Sequence, residues 1–149
     1  MRKLAATTVL LAVLVGACTP LGAHVFETSL FSVDATTGAV SLPLPVAFGD
    51  DTNLVVGVEP ADPTVFRAQP LAVVNDPANP NSFVVAWLGG MCDKNAEISF
   101  APIETGFHVH LQINEKLGLG CPAATVPRAL RVRTSAPVDV DAISTSGGL

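Results

Sequence analysis

Hydrophobic and polar positions alternate most regularly over residues 107–114. There Phe107, Val109, Leu111 and Ile113 interleave with His108, His110, Gln112 and Asn114. A period of two marks a strand with one buried and one wet face. Residues 96–103 read as a partner strand. The Glu104-Thr105-Gly106 between them predicts a β-hairpin closed by a type I turn and a left-handed glycine. Just upstream, residues 83–88 form an apolar strand candidate ending in Gly89-Gly90-Met91-Cys92-Asp93, a tight turn. Downstream, residues 128–134 alternate again and residues 137–143 form a last candidate.

The earlier chain predicts shorter pieces. Within residues 21–33, the stretch 24–31 reads as a weak strand after a short tether, and Asp34-Ala35-Thr36-Thr37-Gly38 as a turn. Residues 39–48 are apolar but carry Pro43 and Pro45, which assigns them to a sheet edge or an extended crossing. Residues 52–58 read as a good strand, then Glu59-Pro60-Ala61-Asp62-Pro63 as a turn. Residues 64–68 and 71–74 are short strand candidates split by Pro70, and residues 75–82, rich in Asn and Pro, form a loop. Residues 144–149 are small and polar, and are expected to fray. Past the leader there is no helical period and no repeat. The pattern predicts an all-β fold: an antiparallel β-sandwich, immunoglobulin-like in architecture, of about seven to nine short strands.

Composition narrows the class. Apolar residues make up 49% and charged residues 14% of the 149, ample for one core. The formal charge is −5, and loss of Arg2 and Lys3 with a leader deepens it to −7. An acidic surface repels phosphate backbones, which argues against a nucleic-acid partner.

Met1-Arg2-Lys3 precedes an apolar run over residues 4–15. Twelve helical residues would span about 18 Å, short of a hydrocarbon core of about 30 Å, so the run predicts a signal peptide rather than a membrane span. It ends in Leu14-Val15-Gly16-Ala17-Cys18, which resembles the lipobox of bacterial lipoproteins. The resemblance implies cleavage before Cys18, diacylglyceryl transfer to its thiol and a lipid-anchored protein of the cell envelope. Thr19 in place of Asp implies no retention at an inner membrane. The expected division is a signal peptide over 1–17, a tether over 18–24, the β-domain over 25–143 and a flexible tail over 144–149. Lipidation of Cys18 leaves Cys92 and Cys121 as an even pair in an oxidising compartment, which predicts one disulfide. Trp87-Leu88-Gly89-Gly90, Cys92-Asp93, Cys121-Pro122-Ala123, Val126-Pro127-Arg128 and Ala136-Pro137-Val138 also resemble a pattern of small, uncharacterised secreted bacterial proteins. That resemblance implies a disulfide-closed secreted domain and no activity.

Candidate chemistry is sparse. His108 and His110, two apart on one strand face, match a two-ligand arrangement for zinc or copper; His24, Asp93 or Glu97 are the residue types available as a third ligand. The competing reading is a polar outer face that includes two imidazoles. Cleavage after Ala23 would instead make His24 an N-terminal copper chelate, similar to His-initiated copper-resistance β-sandwich proteins; cleavage before Cys18 removes that option. Arg131 and Arg133 share a face, either as an anion clamp or in pairs with neighbouring acids. Met91 would suggest copper chemistry only beside a free Cys92. No nucleophile elbow or paired-carboxylate pattern is present, and no catalytic residue and no cofactor are implied. The leading functional expectation is a lipid-anchored extracytoplasmic binding module. Its partners would be the membrane, through the lipid, and another envelope protein or a small ligand. The alternative is a periplasmic or surface copper- or zinc-binding protein using His108 and His110.

Overall fold

The computed structural model describes residues 24–33, 40–63, 71–115 and 125–148. These form nine strands: β1 His24–Val33, β2 Val40–Asp50, β3 Val55–Pro60, β4 Leu71–Asn75, β5 Ser82–Gly90, β6 Asp93–Ile103, β7 Gly106–Glu115, β8 Thr125–Thr134 and β9 Ile143–Gly148. A 3-10 turn, Val140–Ala142, precedes β9. Five strands make one sheet in the order β1-β2-β6-β7-β9, and four make another in the order β3-β8-β5-β4. The chain is all-β, as expected, but not wholly antiparallel: β2 pairs with β6 and β7 with β9 in parallel.

Alternation sorts the side chains. Leu44, Val46, Phe48, Ala96, Ile98, Phe100, Phe107, Val109 and Leu111 of the five-stranded sheet are buried in one cluster with Phe83, Val85, Trp87, Leu130 and Val132 of the other. Phe83 links the sheets through its ring, 5.5 Å from Phe100 and 6.0 Å from Phe107 between centroids. Phe48 continues the chain of rings at 4.8 Å from Phe100. Tilted rings at such distances contribute about 0.5–1.5 kcal/mol each beyond the area they bury.

Four expectations need correction. The expected edge holds for only part of residues 40–50: β6 joins β2 from Val46 to Asp50, while the proline-bearing residues 40–45 pair with β1 and not with β6. The prolines are accommodated locally. Pro43 falls where the β1–β2 register shifts, and Pro45 precedes Val46, where pairing with β6 begins. Neither ring removes a donor that β6 requires. Secondly, residues 144–148 of the expected tail do not fray, because β9 holds Ile143–Gly148 alongside β7 from Phe107 to Gln112. Thirdly, the hairpin turn is shorter than expected. Ile103 already pairs with Gly106, leaving only Glu104 and Thr105 between the strands. Gly106 has φ +152 rather than a left-handed-helical value, and a Cβ there would run into the Ala142 carbonyl. Glycine is needed for that close approach as much as for the turn.

The fourth correction is at β3, which begins at Val55 rather than residue 52. The fully buried Asp50 captures the preceding backbone instead. It accepts from Thr52 N at 2.8 Å, from Val55 N at 3.0 Å and from the Thr52 hydroxyl. This turn carries the chain from one sheet to the other. Met91 and Cys92 do the same between β5 and β6, so the apolar strand and the alternating hairpin lie in different sheets. The strand candidate at 64–68 lies outside the described residues.

Candidate functional site

The outward positions of the five-stranded sheet form rows set by register. One row runs Val25, Gly49, Ser99, His110, Ser146; the next runs Glu27, Ala47, Glu97, Gln112. Gly49 and Ala47 fall on β2, between Val25 and Glu27 of β1 and Ser99 and Glu97 of β6. A trough results along β2. A recess of about 380 Å³ is lined by Glu27, Ser29, Pro45, Ala47 and Asn95 among others. A second of about 230 Å³ shares Ala47 and continues past Gly49, between Val25 and the side chains of Glu97, His110 and Gln112. A Cβ on Gly49 would meet nothing within 4 Å, so the floor is open. Val25, 70% exposed, is the largest apolar group on the rim.

His108 and His110 stand on this face, as the alternation predicts, but they are not bare. Ser144 and Ser146 of β9 lie beside them in register. His108 Nδ1 is 2.7 Å from Ser144 Oγ, and its Nε2 is 2.6 Å from Ser146 Oγ. His110 Nδ1 is 3.0 Å from the same Ser146 Oγ. The candidate third ligands do not join them. Three strand spacings, about 14 Å, separate β1, where His24 registers with Asp50, from β7. The side chain of Asp93 is fully buried elsewhere. Glu97 lines the trough and accepts from Asn114 Nδ2 at 3.4 Å. Among the described residues no group of three metal-ligating side chains is present.

Arg131 and Arg133 meet the chain's own acids. Arg131 Nε donates to Asp76 Oδ2 at 2.7 Å and Nη1 to Glu59 Oε1 at 3.2 Å, while Arg133 Nε lies 4.0 Å from Glu59 Oε2. Asp76, its side chain 2% exposed, is the centre of this group. It also accepts from Ser82 Oγ at 2.7 Å and Ala78 N at 3.0 Å, which folds the 76–81 loop back onto β8. Burial acts to raise its pKa, but the bonds from Ser82, Ala78 and Arg131 outweigh it and hold the carboxyl below its ordinary value. With Arg131 so engaged, the pair is not an open anion clamp.

Sequence reasoning missed a second, deeper pair. Arg128 points inward from β8, 3% exposed, with its Nε 3.6 Å from Asp93 Oδ2. Gly90 N donates to both Asp93 oxygens, at 3.0 and 2.9 Å, and Arg128 Nη2 donates to the Gly90 carbonyl at 3.3 Å. Burial pushes the Asp93 carboxyl up and the Arg128 guanidinium down, each partly opposed by the other's charge. Among the described residues, Arg128 Nε, Arg128 Nη1 and the Trp87 indole N–H find no hydrogen-bond acceptor. Cys92, next to Asp93, is disulfide-bonded; Cys121 and Cys18 lie outside the described residues, as do the leader and the tether.

Against known proteins, no family model, no curated protein and no solved structure matches the chain. Among the described residues no helix is long and apolar enough to cross a membrane.

Proposed function

We propose that the chain is a lipid-anchored extracytoplasmic binding module of a bacterial envelope, with the trough along β2 as its ligand face. The observation that carries this reading is the trough itself. It consists of two recesses that meet at Ala47 on the wet side of a sheet, floored by Gly49 and Ala47 and walled by both polar and apolar side chains. Its length favours a narrow, elongated, polar ligand. Glu27 and Asn95 in one recess, and Glu97, Gln112 and His110 in the other, offer hydrogen bonds beside apolar surface from Pro45, Val25 and Ile98. In this reading Cys18 carries the lipid, the two sheets pack as an immunoglobulin-like β-sandwich, and Cys92 pairs with Cys121. The lipobox resemblance, the core shared by both sheets and the bonded state of Cys92 support these three points in turn. The alternative, a copper or zinc protein resting on a full ligand set, is the weaker reading because its third ligand is wanting among the described residues.

A photoreactive residue at Gln112 in intact cells tests the proposal. A discrete adduct is expected from this site, lost when Gly49→Trp fills the floor, and absent when the probe replaces Val56 on β3. The same adducts from both positions, or indifference to Gly49→Trp, would sink the trough as a binding face. In the same cells Cys18→Ala should move the protein out of the membrane fraction; unchanged fractionation removes the anchor.

A further inference from the structure

Two imidazole nitrogens on β7 converge on one oxygen. His108 Nε2 and His110 Nδ1 lie 2.6 and 3.0 Å from Ser146 Oγ. The rings are fixed in this attitude by the strand, which sets their Cα atoms about 6.6–7 Å apart on one face, and by Ser144, which holds the other His108 nitrogen at 2.7 Å. A pair of nitrogens directed at a common point is what chelation needs, and here that point is filled by a hydroxyl from a different strand.

We propose that His108 Nε2 and His110 Nδ1 form an open site for a divalent cation of the copper, zinc or nickel class, and that the cation competes with Ser146 for the place between them. This goes beyond the trough reading and does not depend on it. Imidazole nitrogen suits these metals, whereas calcium and magnesium require oxygen ligands. With two protein ligands the remaining positions fall to water, so the site is labile and exposed rather than a closed four-ligand structural centre. The excess of acidic residues over basic ones raises the local concentration of cations around the face.

The competition follows from the topology. Ser146 belongs to β9, which among the described residues has β7 as its only sheet neighbour. The two histidines therefore tie β9 to the sheet through the same nitrogens that would hold the metal. A cation that takes them removes both bonds to Ser146 and loosens β9. By linkage, whatever removes Ser146 from the contest strengthens cation binding.

The test uses the full soluble chain, purified without a polyhistidine tag and titrated calorimetrically with zinc and with copper(II). Wild type should bind one ion, and the double change His108→Gln, His110→Gln should weaken binding at least about tenfold. Ser146→Ala should tighten it about two- to tenfold, the range of one or two exposed hydrogen bonds. Amide hydrogen exchange across residues 143–148 should quicken when zinc is added to wild type. Absence of stoichiometric binding to wild type overturns the site. Binding that Ser146→Ala leaves unchanged, with exchange in β9 unaltered, overturns the competition while leaving the trough reading where it stood.

Discussion

Replacing Asp76 by Asn would test how the outer face of the four-stranded sheet is held. The substitution keeps the shape of the side chain and removes its charge and one acceptor. Three donors point at the carboxylate: Ser82 Oγ, Ala78 N and Arg131 Nε. In either orientation the new amide presents N–H groups to at least one of them. If its nitrogen takes the place of Oδ2 it faces Arg131, which loses a charged acceptor worth about 1.5–3 kcal/mol; if it replaces Oδ1 it faces the Ala78 N–H. Breaking a fully buried pair costs about 3–5 kcal/mol, but Arg131 is 32% exposed and keeps Glu59, which places the expected loss lower, at about 2–3 kcal/mol.

The same carboxyl sets a pH signature. Its pKa is lowered from 3.8 in the folded chain, so below 3.8 the unfolded state takes up the proton first. The stabilisation is fully present above that value and is lost as pH falls through the folded pKa. Urea unfolding of wild type and Asp76→Asn at pH 7, repeated down to the acid limit of the folded state, reads both effects. The gap between the two proteins should be widest at neutral pH and close in acid, with equal denaturant slopes. Equal stability within about 0.5 kcal/mol at pH 7, or a gap that persists unchanged in acid, would refute the assignment of Asp76 as the ionised centre of this loop.

Two further outcomes probe the other end of the core and the staple. Gly89→Ala would drive a Cβ into Asp93 Oδ2 and Arg128 Nε, and is expected to cost about 1–3 kcal/mol by overpacking; Gly49→Ala, opening onto free space, should stay within about 0.5 kcal/mol of wild type, and equal midpoints for the two variants would count against the tight approach at Gly89. Cys92→Ser should lower stability by about 3.5 kcal/mol for a loop of about 30 residues, and a non-reduced digest should yield a Cys92–Cys121 linked peptide; recovery of a Cys92–Cys18 peptide would break both the pairing and the anchor.

The β6–β7 hairpin was readable because its information is local. Its alternation, its glycine and its short turn sit within one window, and Phe107, Val109 and Leu111 are inside as the period requires. The parallel pairings left no such trace, since a parallel partner has no adjoining turn to announce it. The 144–148 segment illustrates this. Ser, Thr and Gly carry no apolar period, and the partner strand lies some thirty residues away along the chain, so composition pointed to fraying while backbone pairing and the His–Ser contacts produced β9. Pro43 and Pro45 were informative for only part of the strand. A proline excludes a donor at one position, not a strand from a sheet, and here both positions fall where β6 does not call on them. The Arg128–Asp93 pair was hidden because Arg128 occupies a core-facing position among residues otherwise read as charged-out, and its partner belongs to the other sheet. His108 and His110 were visible on the wet face; the trough beside them was not, because Ala47 and Gly49 matter through what they leave empty.

If Cys18 is lipidated as proposed, the anchor would constrain the trough through β1. Val25 forms the rim of one recess and Ser29 lines the other, four residues or about 13 Å further along the strand. From a lipidated Cys18 to Val25 the chain can extend at most about 23–25 Å. On the proposed reading, in which Cys18 carries a lipid, the Val25 end of the trough would be confined to a thin shell above the bilayer, while the strand direction would allow the Ser29 end to stand further off. A ligand lying in the trough would be met within that shell, where components fixed to the envelope are concentrated relative to freely diffusing ones. Glu27 and Glu97, on either side of Ala47, also favour ligands that are neutral or cationic there, and disfavour the anionic headgroups of the surface itself. A short tether and an acidic trough would thus suit the proposed module, one held close to the membrane by its lipid yet directed toward something other than the bilayer.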